Sequence, residues 1–474
     1  MTTIKQLAGQ LAATVALGLV AALSASACDL DVPDLNNPGL DELQDRPTAA
    51  LVNSACTGLL IGARRNVAAE NGYVSELGIL GREAYNFDSA DPRYVTEMIV
   101  GTLKGSSFGG NFWALPYTNI RLANIILAGV DKVAEFSASD KAAIKGFAHT
   151  MQAIDLLEVI NTHDTNGAVI DTDQPIVQPP AVQPLGKIVD KSTTLAAIAK
   201  LLDDGAMELG TGGTAFTFAM PSGFHNDDPT PTFDTPSGFL TFNRAMRARV
   251  AVYTTPADYA TALTALKASF LDDTSPAIPF NLGVYFTFST KSGDATNGLI
   301  NANIYVHPSV AAEAAPGDAR ATRKITTAVD ANGNPKPGAE LGLSATQVFT
   351  LYPKPESPVA QIRNEELLLL KAEALYFTGN KAGATAELNL VRQQSGGLPP
   401  LAAAPDDTTF IDQLLYERRY SLLFEGGHRW IDLRRFNRPL PLDRPTDTAN
   451  LRYPFPQAEC DARPGEPRCL LGST

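Results

Sequence analysis

Three carboxylates and a cluster of arginines crowd the stretch YERRYSLLFEGGHRWIDLRRF, residues 416–436. Glycoside hydrolysis needs two acids about 5–10 Å apart, one of them kept protonated as the general acid. Glu425 and Asp432 are of the right type but have the wrong neighbours. Nearby arginines favour the ionised carboxylate and so oppose the raised pKa a general acid requires. Asp432 lies three residues from both Arg429 and Arg435, a spacing that allows ion pairs on a helix. Glu417 can reach Arg418, Arg419 or a neighbouring helix. The stretch therefore reads as a structural ion-pair network of Glu417, Arg418, Arg419, Glu425, Arg429, Asp432 and Arg435, with no catalytic residue. No Ser/His/Asp arrangement stands out. The 5 histidines are scattered, and Asp164 opens only a fragment of a calcium-loop pattern, so neither metal nor cofactor is expected. With 38 Lys+Arg against 51 Asp+Glu the net charge is −13, which repels a phosphate backbone and argues against nucleic acid as a partner.

The elements that position these groups are mainly helical. Apolar residues recur at three- and four-residue spacing near 40–65, 112–136, 139–160, 192–209, 238–254, 257–269, 359–378, 381–394 and 409–426. In EELLLLKAEALYFTGNKAGATAELNLVRQQSGG, Gly379-Asn380 ends one helix and the next begins within a few residues, so the two must lie antiparallel. This hairpin is similar to a tetratricopeptide (TPR) pair, with Leu375-Tyr376, Gly379-Asn380 and Ala384 at matching places. The expected fold is mainly α: TPR-like pairs near 40–160, 192–269 and 359–436, with long loop insertions at 161–190, 210–237 and 271–358 that carry a few short strands. Long insertions in a compact protein are usually functional, so recognition is expected there.

Residues 1–27 combine Lys5, an apolar run from Leu11 to Leu23 and the small residues SASA, the layout of a secretory signal. Cys28 follows directly and resembles the lipidated cysteine of a bacterial lipobox. Residues 28–39 read as an acidic tether, and 40–474 as one domain. In an exported protein Cys460 and Cys469, either side of a short Pro/Gly loop, are expected to form a disulfide, and Cys56 to be a buried thiol.

Several independent motifs carry a family resemblance: Arg363-Asn364-Glu365, Ala372-Glu373-Ala374, Glu417-Arg418-Arg419, Glu425-Gly426, Arg429-Trp430-x-Asp432-Leu433-Arg434-Arg435 and Tyr453-Pro454-Phe455-Pro456. Upstream, WALPYTNIRLANIIL and CDLDVPDLNNP add to it. The chain resembles the SusD/RagB family of outer-membrane nutrient-binding lipoproteins. The resemblance implies a non-catalytic, palmitate-anchored lipoprotein at the cell surface. It would bind an oligomeric nutrient, a glycan before a peptide, and deliver it to a TonB-dependent transporter barrel. An exported TPR-type interaction module is the alternative, and a glycoside hydrolase a remote one. Trp113 and Trp430 both fall in scaffold motifs. Loop aromatics at Phe216, Phe218, Phe224, Phe233, Tyr285, Phe286 and Phe288 are further candidates for stacking on a sugar. The group singled out for ligand contact is Tyr85, Phe87, Tyr94, Phe108, Asn111 and Phe112, which precedes the Trp113 helix.

Overall fold

The computed structural model describes residues 43, 46–174, 184–225 and 232–474. The expected signal segment, Cys28 and the acidic tether lie outside the described residues. Eleven longer helices can be followed among those residues: α1 Ala49–Arg64, α2 Tyr73–Leu80, α3 Ala114–Val130, α4 Ala138–His163, α5 Lys191–Leu209, α6 Pro236–Tyr253, α7 Tyr259–Lys267, α8 Asn364–Phe377, α9 Lys381–Gln394, α10 Asp407–Ser421 and α11 His428–Arg435. None is long and apolar enough to cross a membrane.

Local signals start and stop these helices. Ser137 and Asp140 form a reciprocal capping box at α4, Asp190 caps α5, Thr235 precedes Pro236 at α6, and Asn380 and Asp406 cap α9 and α10. Gly379, at φ +94°, closes α8. On α1, Val52, Cys56, Leu59 and Ala63 form the buried stripe. Burial raises the pKa of the Cys56 thiol, which is inert there. By contrast, α8 is buried on most of its circumference, and its buried acids Glu366 and Glu373 are paired with Arg249 and Arg435. Neighbours in sequence pack against each other: α3 on α4, α4 on α5, α5 on α6, α6 on α7 and α8 on α9, with α1 closing against α3.

Short two-stranded ladders decorate the helices. Inside the insertions, β2 (Ala168–Val169) pairs with β3 (Ile188–Val189), β6 (Ile325–Thr327) with β9 (Gln347–Phe349), and β7 (Gly338–Glu340) with β8 (Leu343–Ala345). Two ladders tie the 271–358 insertion to the scaffold. There β1 (Ala84–Asn86) meets β5 (Ile304–Val306), and β4 (Gly283–Phe286) runs antiparallel to β10 (Val359–Arg363), which leads straight into α8.

α10 ends at Ser421, short of the 426 expected, and a turn leads from it to α11. Leu422 is the C-cap, and Gly427 adopts φ +70°, where a Cβ would lie 2.4 Å from the Leu77 Cβ. Both the left-handed backbone and the close approach demand glycine there. Gly426 has open space around it, its nearest neighbour being 3.6 Å away on His428. Gly427→Ala is expected to cost about 2–4 kcal/mol, whereas Gly426→Ala stays within about 1 kcal/mol. Urea denaturation of the pair checks this, and equal midpoints would contradict the assignment.

Candidate functional site

The charged stretch that opened the sequence reading is buried and paired, but mostly with distant partners. Glu417 accepts from Arg320 Nη1 at 2.6 Å and Arg392 Nη1 at 2.7 Å. Glu425 binds Lys324 at 2.8 Å and Arg363 at 2.6 Å. Arg418 donates to Asp432 at 2.6 Å, and Arg435 joins Asp432 at 2.9 Å to Glu373 at 2.5 Å. Arg419 pairs with Glu313. Local i,i+3 pairing was expected to dominate; only Asp432–Arg435 has that form. Arg429 has no ion pair among the described residues, and burial, aided by the nearby Arg419 and opposed by Glu83, lowers its pKa to about 10. Its place in the expected network is therefore corrected. Burial alone would raise the carboxyl of Glu365, but Arg363 and Lys324 reverse this and hold it at about 2. Glu425 is likewise held low by Arg363 and Lys324 against its burial. Neither can serve as a general acid.

The aromatic group expected to meet ligand is instead core. Tyr85, Phe87, Tyr94, Phe108 and Phe112 are each at most 9% exposed. Tyr94 packs on Phe108, and Phe112 on Tyr73 and Tyr453. The Tyr85 hydroxyl donates to Asp443 and the Asn111 amide to Glu76 at 2.6 Å. These rings pack on one another and on Tyr305, His307 and Tyr453, and none of them lines the open cleft beside α1. Both tryptophans are structural: Trp113 Nε1 donates to Glu459 and the buried Trp430 donates to the Asn450 carbonyl. Asp164 binds Lys191 and Arg434 where a calcium loop would place its ion. Among the described residues no cluster of three His, Cys, Asp or Glu side chains could hold a metal. Cys460 and Cys469 are bridged, with Cα atoms 5.6 Å apart.

An open cleft of about 460 Å³ lies on the other side of α1. Thr57, Leu60, Ile61 and Arg64 line it from α1 at helical spacing, so one face of that helix forms one wall. The loop 219–224 forms a second wall, and β4 with its continuation to Asp294 a third. A Cβ at Gly223 would fall 1.9 Å from the Tyr285 carbonyl oxygen, so only glycine lets that loop lie against β4. Met151, Phe224, Phe286 and Phe288 make an apolar floor, and Ser222, Ser289, Lys291, Asp294 and Gln361 a polar rim. Arg64 ties the rim together: it donates to the Thr287 carbonyl at 2.6 Å, bonds Asp294, and lies 5.9 Å above the Phe288 ring. Hydrogen bonds from Arg64 and Ser289 lower the Asp294 carboxyl to about 2. Apolar rings ringed by a few directed polar groups are the makeup of a small-molecule site, and the volume holds one or two sugar rings. Asp294 is its sole lining carboxylate among the described residues, so a two-acid mechanism has no place there.

Behind the cleft lies a smaller chamber between α1, α4, α6 and α11, lined in part by Tyr73, Glu158, Asn161, Arg249, Tyr253 and His428. Burial raises Glu158 to about 8 and lowers His428 to about 4, so the acid and the imidazole are both neutral at pH 7. The sign for Glu158 follows. Below its ordinary value near 4.5, folded and unfolded chains are both protonated; as pH rises toward 8 only the unfolded chain ionises, and stability falls. Asp155, also raised by burial, adds in the same direction. Glu158→Gln is expected to match the wild type near pH 4 and to be more stable by about 1–3 kcal/mol at pH 8. Urea midpoints against pH read this, and identical profiles would contradict it.

Comparison with known proteins places these features. Residues 353–463, which hold β10, α8–α11 and the first cysteine of the disulfide, match the SusD family model. Over that segment the chain is similar to the SusD family. No curated protein matches it by sequence. Among solved structures, surface glycan-binding protein A from Bacteroides thetaiotaomicron, in complex with laminarihexaose, is 13% identical with a TM-score of 0.63, over 90% of this chain and 99% of that one. SusD superfamily proteins from Bacteroides fragilis and Bacteroides vulgatus are 14% and 15% identical, both with TM-scores of 0.62, over 88% of this chain and 97% and 98% of theirs. These likenesses establish the mainly helical SusD-like fold. Arg64, Ile61 and Glu158 escaped sequence reasoning. The available signals were the second, half-polar stripe of α1 and the acids Asp155 and Glu158 three residues apart in the apolar run IDLLEVI.

Proposed function

We propose that this chain is a surface-exposed outer-membrane lipoprotein of the SusD family, anchored through Cys28, that captures an oligosaccharide in the α1–β4 cleft and passes it to a TonB-dependent transporter without turnover. The observation that carries the reading is the cleft: an aromatic floor suited to the apolar faces of pyranose rings, under a rim of hydroxyl, amide and charged groups. The relative that holds laminarihexaose supports a glycan as the ligand class. In support of a non-catalytic role, the acids of the 416–436 stretch are spent on buried cations. The expected ligand residues Tyr85, Phe87, Tyr94, Phe108, Asn111 and Phe112 become the wall of the scaffold, and recognition moves to Arg64, Ser222, Phe286 and Phe288.

Two measurements test this. Calorimetry with neutral gluco-oligosaccharides is expected to give saturable binding with no product formed; absence of binding to a broad glycan panel would contradict it. Cys28→Ser is expected to release the protein from the membrane fraction, and unchanged membrane retention would sink the lipid anchor.

A further inference from the structure

The chamber behind the cleft is rich in unpartnered oxygen and nitrogen acceptors and poor in free N–H donors. Its donors are committed: Arg249 Nε and Nη2 bind Glu366 at 2.7 and 2.6 Å, Nη2 also reaches the Gln361 carbonyl at 2.7 Å, and the Asn161 amide donates to the Tyr73 hydroxyl. Its acceptors are not. Among the described residues the Glu158 carboxyl has no ion pair, burial being the one cause that raises it, and the buried Tyr253 hydroxyl and His428 Nδ1 are unpartnered. Other charges around it are balanced, Arg249 by Glu366, Glu425 by Arg363 and Lys324, and Arg418 by Asp432. Glu158 alone lacks a counter-charge. Without a counter-charge the carboxyl stays protonated, and a cationic donor with several N–H groups would let it ionise and would satisfy Tyr253 and His428 as well. The chamber measures about 90 Å³, less than the roughly 150 Å³ that holds a benzene ring, so it admits an amine-bearing carbon but no sugar ring. Ala63, Phe286 and Gln361 line both chamber and cleft and form the wall between them.

We propose that the chamber is a subsite for a primary ammonium group, reached from the cleft past Phe286 and held by Glu158, Tyr253 and His428; this rests on the cleft being the ligand site. The occupant is an amino substituent of the bound oligosaccharide or a free small amine, and the two are separable. Calorimetry compares a glucosamine hexamer with its N-acetylated counterpart on the full chain, with methylammonium as competitor. The wild type is expected to prefer the free-amine oligomer at least tenfold, and Glu158→Gln to abolish that preference while leaving the N-acetylated oligomer unaffected. Competition by methylammonium supports free-amine entry, and its absence assigns the group to the oligomer. A preference that survives Glu158→Gln would reflect general attraction to an acidic surface and overturn the proposal, as would equal affinities in the wild type. If Glu158→Gln does not fold, Tyr253→Phe serves, with the preference expected to fall and a full preference overturning the proposal. If neutral oligosaccharides bind and are blocked at the cleft, yet no amine preference exists, the subsite alone fails. If no oligosaccharide binds, the cleft reading fails and the subsite with it.

Discussion

Replacing Arg320 with Met is expected to destabilise the chain by about 3–5 kcal/mol, the largest loss foreseen for any single side chain here. Arg320 is fully buried between two acids, donating to Asp318 at 3.0 and 2.8 Å, to Glu417 at 2.6 Å and to Ser421 at 3.1 Å. Ser421 in turn donates to Glu365 at 2.6 Å, and Glu365 pairs with Arg363, so one chain of contacts links the 271–358 insertion, β10, α8 and α10. Methionine fills similar space but leaves Asp318 without its cation and Glu417 with Arg392 alone, which is how breaking a buried pair becomes far more costly than never having built it. Lys200→Ala removes an exposed i,i+4 pair with Asp204 and is expected to change stability by no more than about 0.5 kcal/mol. Urea unfolding of both decides the matter. A loss below about 1 kcal/mol for Arg320→Met would mean that the insertion is not clasped through this residue.

Ser222→Trp is expected to reduce oligosaccharide affinity at least tenfold, about 1.4 kcal/mol or more, with little change in thermal stability. Ser222 is exposed at the mouth of the cleft, so a large side chain rooted there adds bulk where a ligand ring must lie without removing a core contact. Phe286→Ala would remove part of the floor as well, but that ring also packs against the core and confounds the reading. Calorimetry on Ser222→Trp, with a thermal melt to confirm folding, reads the effect; unchanged affinity would move recognition off this cleft.

Helices were legible in the chain because their signals are local: the α8–α9 hairpin with Gly379-Asn380, the caps at Ser137 and Asp190, and the buried stripe of α1 all sit within a few residues of what they control. Ion-pair partners were not. Arg320, Lys324 and Arg363 lie 58 to 101 residues from the groups they bind on α10 and at Ser421, and no periodicity reports a contact of that range. The site was missed for a related reason. Aromatics near Trp113 look like a platform in sequence, yet Tyr94 packs on Phe108, and Phe112 on Tyr453, a partner more than 300 residues away. Phe286 and Phe288 were visible as loop aromatics, but only the β4–β10 ladder sets them opposite α1, and Arg64 emerged only from its bonds to Thr287 and Asp294.

The most direct test is a crystal structure of the full chain with whichever oligosaccharide binds it best. A pyranose ring is expected over Phe286 and Phe288, with its hydroxyls on Arg64, Ser222 or Asp294 and the Glu417–Arg320 and Glu425–Arg363 pairs intact. Sugar seated away from α1, or reaching Glu425 and Asp432 with those acids freed from their arginines, would contradict the account.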